Sequence, residues 1–191
     1  ELGVNLAPEQ VKVPNVVAAI PGSDLADELV VFGAHFDHIG TAENGDCRKD
    51  ERRDDAICNG ADDNASGTAM ILELARTFQK AGIKPRRTLV FASFSGEEMG
   101  LLGSAALAKN PPFDRDKVVA MVNIDMIGRL KSKGLMIGGL ATSKEWMPML
   151  DAIGSKGMEI TYDRSSTARA RSSSSTRTPT PAAAMPSGRV T

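Results

Sequence analysis

Few of the residue types that usually advertise chemistry are present. Of 191 residues, two are Cys, two His, one Trp and one Tyr, and aromatic residues amount to 4% against 41% hydrophobic overall. A core built from such a pool is aliphatic, as in many α/β proteins. Net charge is also scarce. A formal value of −1 gives no general electrostatic footprint for nucleic acid or for an anionic membrane. No apolar run approaches the roughly 20 residues of a spanning helix, so no membrane-crossing segment is expected. Nor does a basic segment followed by an apolar stretch stand ahead of the first strand. No signal peptide is therefore read, and a chain starting at Glu1 is expected to be processed or excised. The length suits one domain with a single core.

The two cysteines, Cys47 and Cys58, lie in a polar stretch between residues 41 and 59 that shows neither helical nor strand periodicity. A loop of that length inside a compact domain is usually functional, and it is expected to rim a site. Two unpaired surface thiols are the expectation, with a disulfide as the alternative in an oxidising compartment.

Around that loop, apolar runs and turn clusters alternate. Val16 to Ile20 and Leu29 to Ala34 read as strands separated by the turn Pro21-Gly22-Ser23-Asp24. Met70, Ile71, Leu74, Ala75 and Phe78 follow helical spacing, with Asn64 or Ser66 as cap and Gly82 as stop. Thr88 to Phe94 and Val118 to Ile124 are continuous apolar runs expected to be strands buried on both faces. Leu101 to Lys109 reads as a short helix stopped at Asn110-Pro111-Pro112. Leu135 to Ile137 reads as a strand, a helix beginning near Ser143 carries Trp146, Met149, Leu150 and Ile153, and a last strand runs from Met158 to Tyr162. The alternation predicts an α/β fold with a mostly parallel, helix-covered central sheet. From Asp163 to Thr191 the chain turns to Ser, Thr, Ala, Pro and five arginines, a composition expected to be disordered. The expected division is thus a domain over 1–162 and a tail over 163–191.

Four short clusters carry the chemistry. They are His35-Phe36-Asp37-His38, Gly60-Ala61-Asp62-Asp63-Asn64-Ala65-Ser66-Gly67, Gly96-Glu97-Glu98-Met99-Gly100 and Asn123-Ile124-Asp125-Met126. Three of them follow predicted strands, at the edge where ligands bind in open parallel sheets. Six carboxylates gathered there would repel one another by roughly 4 kcal/mol per pair at 4 Å and an effective dielectric near 20. Cations resolve that conflict, and a mixture of imidazole and carboxylate suits zinc, with cobalt or manganese as substitutes. Two ions sharing a carboxylate and a water give a hydroxide nucleophile near neutral pH, and a neighbouring carboxylate is needed to move its proton.

In order and spacing the four clusters resemble the M28 family of zinc peptidases, in particular its aminopeptidases, over about Asn15 to Tyr162. The resemblance implies a zinc-exopeptidase fold, incomplete at its C-terminal end, and peptide substrates. It further implies metal ligation by His35, Asp62, Glu98 and Asp125, with Asp62 bridging two zinc ions. Glu97 becomes the general base, and Asp37 orients His35 by a hydrogen bond. The bond Asp62–Asp63 becomes a cis peptide. Family members are often exported, and a carboxypeptidase or glutaminyl cyclase of the same fold is the enzymatic alternative. Asp63 is expected to be structural, His38 to face the rim, Asn64 and Ser66 to cap a helix, and Trp146 to lie in the core. The family also takes a histidine from a late motif, whereas both histidines here sit in the first one. The tail stands where that motif belongs, as if the reading frame had shifted, and translating the encoding nucleotides in the other frames tests this. The consequence expected is one ion rather than two and reduced turnover, or a non-catalytic relative that only binds partners.

Overall fold

The computed structural model describes residues 11–43, 47–130 and 134–163. The tail expected to be disordered lies outside the described residues, apart from Asp163. Among the described residues six strands form: β1 (Val16–Ile20), β2 (Leu25–His35), β3 (Arg87–Phe94), β4 (Val118–Asn123), β5 (Leu135–Ile137) and β6 (Ile160–Tyr162). The α-helices among the described elements are α1 (Gly67–Lys80), α2 (Leu102–Lys109) and α3 (Trp146–Ile153).

β1 to β4 make one sheet in the order β1-β3-β2-β4, in which β2 runs parallel to both β3 and β4 and β1 runs antiparallel on the outer edge of β3. The turn after β1 therefore does not close a hairpin, because β3 slots between β1 and β2. β5 and β6 form a separate parallel pair. The fold is mixed α/β with a mostly parallel sheet.

The core divides along the pleat. Leu29 and Val31 of β2 face one side with Val90, Ala92 and Phe94 of β3, and Leu107 of α2 and Phe113 pack over them. Val30, Phe32 and Ala34 face the other side with Leu89 and Phe91, under Ile71, Leu74, Ala75 and Phe78 of α1. A continuous apolar run thus serves both faces, since neighbouring residues of a strand point opposite ways. β3 fits that expectation. β4 does not, because Val119, Met121 and Val122 are 36–40% exposed. Among the described strands it pairs with β2 alone, so it is an edge strand. Met70 is likewise more exposed than its spacing implied, at the margin of the buried stripe of α1.

Register places the site. His35 at the end of β2 pairs with Phe94 at the end of β3, and Gly33 pairs with Asn123 at the end of β4. The carboxyl ends of three neighbouring parallel strands thus finish along one edge of the sheet. The irregular helical segment Ala61–Ser66 leads into α1 beside that edge.

Candidate metal centre

His35 is 2% exposed, the last residue of β2, and its ring faces Asp63, Asp125 and Glu97. Nδ1 lies 3.1 Å from the main-chain oxygen of Asp37; a carbonyl only accepts, so Nδ1 carries the proton there. Nε2 is left pointing into the cluster, 3.1 Å from Asp63 Oδ1, 3.5 Å from Asp125 Oδ1 and 3.9 Å from Glu97 Oε2. Nε2 of His35 and Oδ1 of Asp125 are both buried and neither makes a hydrogen bond. Such groups are costly to bury unless something pairs with them.

Asp37 does orient His35, but through its backbone carbonyl rather than its carboxylate, which stands 3.7 Å away. The carboxylate instead accepts the backbone N–H of Glu97 on one oxygen (3.1 Å) and that of Glu98 on the other (3.2 Å). One side chain therefore ties the loop after β2 to the loop after β3. Its grip fixes where Glu97 and Glu98 begin.

The largest departure from expectation concerns the Asp-Asp pair. Asp62 is not between the imidazoles. Its carboxylate accepts the backbone N–H of Gly128 at 2.7 Å and pairs with the guanidinium of Arg129, which fastens the segment after β4 to the segment before α1. Asp63, in extended backbone at φ −109°, ψ 94°, turns its carboxylate the other way, toward His35. The cis peptide is correspondingly Asp63–Asn64, one residue later than expected. Asn64, 1% exposed, accepts from the N–H of Gly67 and donates to the carbonyl of Ile124, so it caps α1 while clasping the end of β4. Gly67 allows that approach, since a Cβ there would lie 2.4 Å from Asn64 Oδ1 and 2.5 Å from the Ile124 carbonyl. Ser66 contributes differently, donating to the carbonyl of Asp62 and accepting from Ile127.

His38 does not face away at the rim. Its Nδ1 lies 2.8 Å from Glu98 Oε1. Two sets of potential ligand atoms result, each within 4.8 Å of one another: His35, Asp63 and Asp125, and His38, Asp63 and Glu98. Asp63 belongs to both, and Asp62 to neither. One nitrogen and two carboxylate oxygens per set is donor chemistry that fits zinc, and the buried atoms of His35 and Asp125 that make no hydrogen bond fit a bound cation.

The crowding shows in the ionisation. Burial works against a charge on His35, but Asp125, Glu97 and Asp63 outweigh it and lift its pKa to about 9. Burial, followed by Glu98, Asp125 and Asp63, pushes Glu97 above the usual carboxylate range, against the pull of His35. Glu97 is thus poised to hold a proton.

The loop between residues 41 and 59 is tied down beside the centre. Thr41 bridges Ile57, Asp50 bridges Asp55, and Cys58 donates to the carbonyl of Gly40 at 2.8 Å. That antiparallel fold brings the Cα atoms of Cys47 and Cys58 to 5.7 Å, and the two form a disulfide rather than free thiols. Trp146, expected in the core, is half-buried, donates to Thr142 Oγ1 and belongs to neither of the two core clusters among the described residues. Among the described residues no helix is long and apolar enough to cross a membrane.

The sequence pattern of Peptidase family M28 matches residues 15–187. The chain belongs to that family. Among curated relatives it is 39% identical over 123 residues to a protein of Pyrenophora teres f. teres named "Probable zinc metalloprotease", covering 64% of this chain and 24% of that one. It is 40% identical over 129 residues to a "Probable leucine aminopeptidase" of Arthroderma otae, covering 65% and 33%. Among solved structures, the aminopeptidase from Aneurinibacillus sp. strain AM-1 superposes with a TM-score of 0.56 at 26% identity, over 78% of this chain and 33% of that one. The chain thus spans about a quarter to a third of these relatives. The sheet edge of this M28 chain gathers His35, Asp37, Asp63, Glu97, Glu98 and Asp125. Asp63 was expected to be structural and His38 to face the rim; which of two neighbouring aspartates turns toward His35 is decided by backbone torsions, and the approach of His38 to Glu98 by the fold, neither of which the sequence displays.

Proposed function

We propose that this chain is the metal-binding part of a zinc-dependent exopeptidase that removes residues from the amino terminus of peptides. The observation that carries the reading is the buried, unpartnered Nε2 of His35 aimed at Asp63 and Asp125, at the carboxyl edge of a parallel sheet. His35, Asp63 and Asp125 would hold a divalent cation. Bound zinc supplies a Lewis acid for the scissile carbonyl and lowers the pKa of water.

The chain's own residues do the rest. Asp37 holds the N–H groups of Glu97 and Glu98, fixing the backbone from which both carboxylates reach toward the centre. Glu97, with its raised pKa, takes a proton from the attacking water and returns it to the leaving amine. Asp62 and Asn64 hold the ends of β4 and α1 together, so that Asp63 and Asp125 keep their separation.

Relatives named as a leucine aminopeptidase and an aminopeptidase support the choice of the amino terminus. The disulfide supports an oxidising, exported location, where such bonds persist. Release of p-nitroaniline from leucine p-nitroanilide, with zinc and after chelation, tests the reading. Zinc-dependent release from the free-amine reporter but not from its N-acetyl form is expected. No release by the zinc-loaded chain overturns it.

A further inference from the structure

We infer that His38 is a metal ligand, supplying the nitrogen of a second divalent-cation site with Asp63 and Glu98, so that both histidines of the motif His35-Phe36-Asp37-His38 serve the same bimetallic centre. The inference deepens the metallopeptidase reading and rests on it.

Three features of the fold carry it. First, the atoms already converge. His38 Nδ1, a carboxylate oxygen of Glu98 and a carboxylate oxygen of Asp63 lie within 4.8 Å of one another, with His38 and Glu98 in contact at 2.8 Å. Zinc–nitrogen and zinc–oxygen bonds of about 2.0–2.2 Å let one ion reach all three after small side-chain rotations. An imidazole with two carboxylates supplies the charge and donor mix that zinc, cobalt and manganese accept.

Second, the ring is held by the segment that carries Asp63. Gly60 has a positive φ of 59°, and a Cβ built there would stand 2.8 Å from Cγ of His38, so the imidazole rests directly on the Gly60 backbone. Gly60 in turn accepts the N–H of Ala65 through its carbonyl and opens the segment containing Asp63. Behind the ring, Gly40 is tied to Cys58, so the chain leaving His38 is anchored two residues later. Glu98 is fixed separately by Asp37. All three side chains are about one-fifth exposed, dry enough to reward coordination and open enough for an ion to enter.

Third, an independent sign of a ligand lies at the residue the two sets share. Nε2 of His35, whose side chain is 3% exposed, is directed at Asp63 without a hydrogen bond. Asp63 is also the carboxylate that lies within 4.8 Å of the ligand atoms of His38 and Glu98. Without an ion, the His38–Glu98 contact is the direct pairing that coordination would replace.

Zinc content after equilibrium dialysis of the full chain, with affinities from titration calorimetry, decides the matter. The unmodified chain is expected to hold two zinc ions, His38→Ala and His38→Gln one each, and Asp63→Asn fewer than either. In the histidine variants the weaker affinity should fall at least about tenfold, as for loss of a metal-supporting group. X-ray absorption at the zinc edge of the unmodified chain, which needs no variant to fold, is expected to report about one imidazole nitrogen per zinc. If the unmodified chain holds one ion, or if His38→Gln keeps two ions at unchanged affinity, His38 is not a ligand. That failure leaves the peptidase reading standing. Two bound ions without hydrolysis of any amino-terminal reporter would instead remove the peptidase reading and leave the metal site.

Discussion

Oδ1 of Asp63 lies 3.1 Å from Nε2 of His35, while its neighbour Asp62 faces away into the N–H of Gly128 and the guanidinium of Arg129. Two adjacent carboxylates therefore face opposite ways, and the reading proposed above gives Asp63 a chemical task and Asp62 a structural one. Asp63→Asn should abolish tight zinc binding and peptide hydrolysis together while leaving the far-UV circular dichroism intact. Asp62→Asn should keep zinc, lower the melting temperature and slow turnover only as far as the segment after β4 loosens. Zinc content and melting curves of the two variants side by side check the division; equal zinc loss in both would reject it.

Glu97 stands 3.9 Å from the ring of His35 and is pushed toward its protonated form by burial and three neighbouring carboxylates. Its replacement by Gln keeps the shape and the Asp37 contact, which uses the backbone N–H. Zinc content should be unchanged while kcat falls by about 10²–10⁴, the usual contribution of a general base. A Glu97→Gln chain with unimpaired kcat would assign the proton to another group.

Most of the architecture was legible from local pattern, and what was not depended on the third dimension. β1, β3, α1 and α2 follow from apolar runs, Gly82 and the prolines after Asn110, to within a residue or two. Strand ends and cluster positions coincide, so the meeting of His35, Glu97 and Asp125 follows once the sheet is parallel. Three points were hidden. The exposure of β4 depends on which strands flank it, and that is a property of the sheet order. The choice between Asp62 and Asp63 depends on backbone torsions and on Gly128 and Arg129, 66 and 67 residues later. The disulfide depends on the antiparallel bridges that fold the 41–59 loop back on itself, a pairing that polar sequence does not announce.

That disulfide closes a short loop whose end is tied to Gly40, two residues past His38. Removing it in a Cys47→Ser/Cys58→Ser chain should destabilise the loop by about 2–3 kcal/mol from restored chain entropy. The sheet, which shares no core residue with the loop other than through its ends, should melt almost unchanged. The measurable result is faster amide hydrogen exchange confined to residues 41–59, together with weaker zinc binding on the His38 side. Exchange spreading equally into β2 and β3 would instead make the disulfide a determinant of the whole fold.

A histidine lifted to about 9 by carboxylates also predicts how the chain responds to pH once its metal is removed. The protonated ring stands among Asp63, Asp125 and Glu97 as a substitute cation. Because the folded pKa lies above the unfolded value of 6.5, this contribution to stability is fully present below pH 6.5 and is lost as pH rises through about 9. The melting temperature of the chelated chain should therefore decline between those values, and a His35→Gln chain should lack that component of the slope. Zinc needs the same nitrogen unprotonated, so its affinity for the His35 side should move the opposite way, rising by up to about tenfold per pH unit across the window. Zinc titrations at pH 6.5, 7.5 and 8.5 separate this competition from a metal-independent effect: a flat affinity would mean that the proton on His35 is not what zinc displaces.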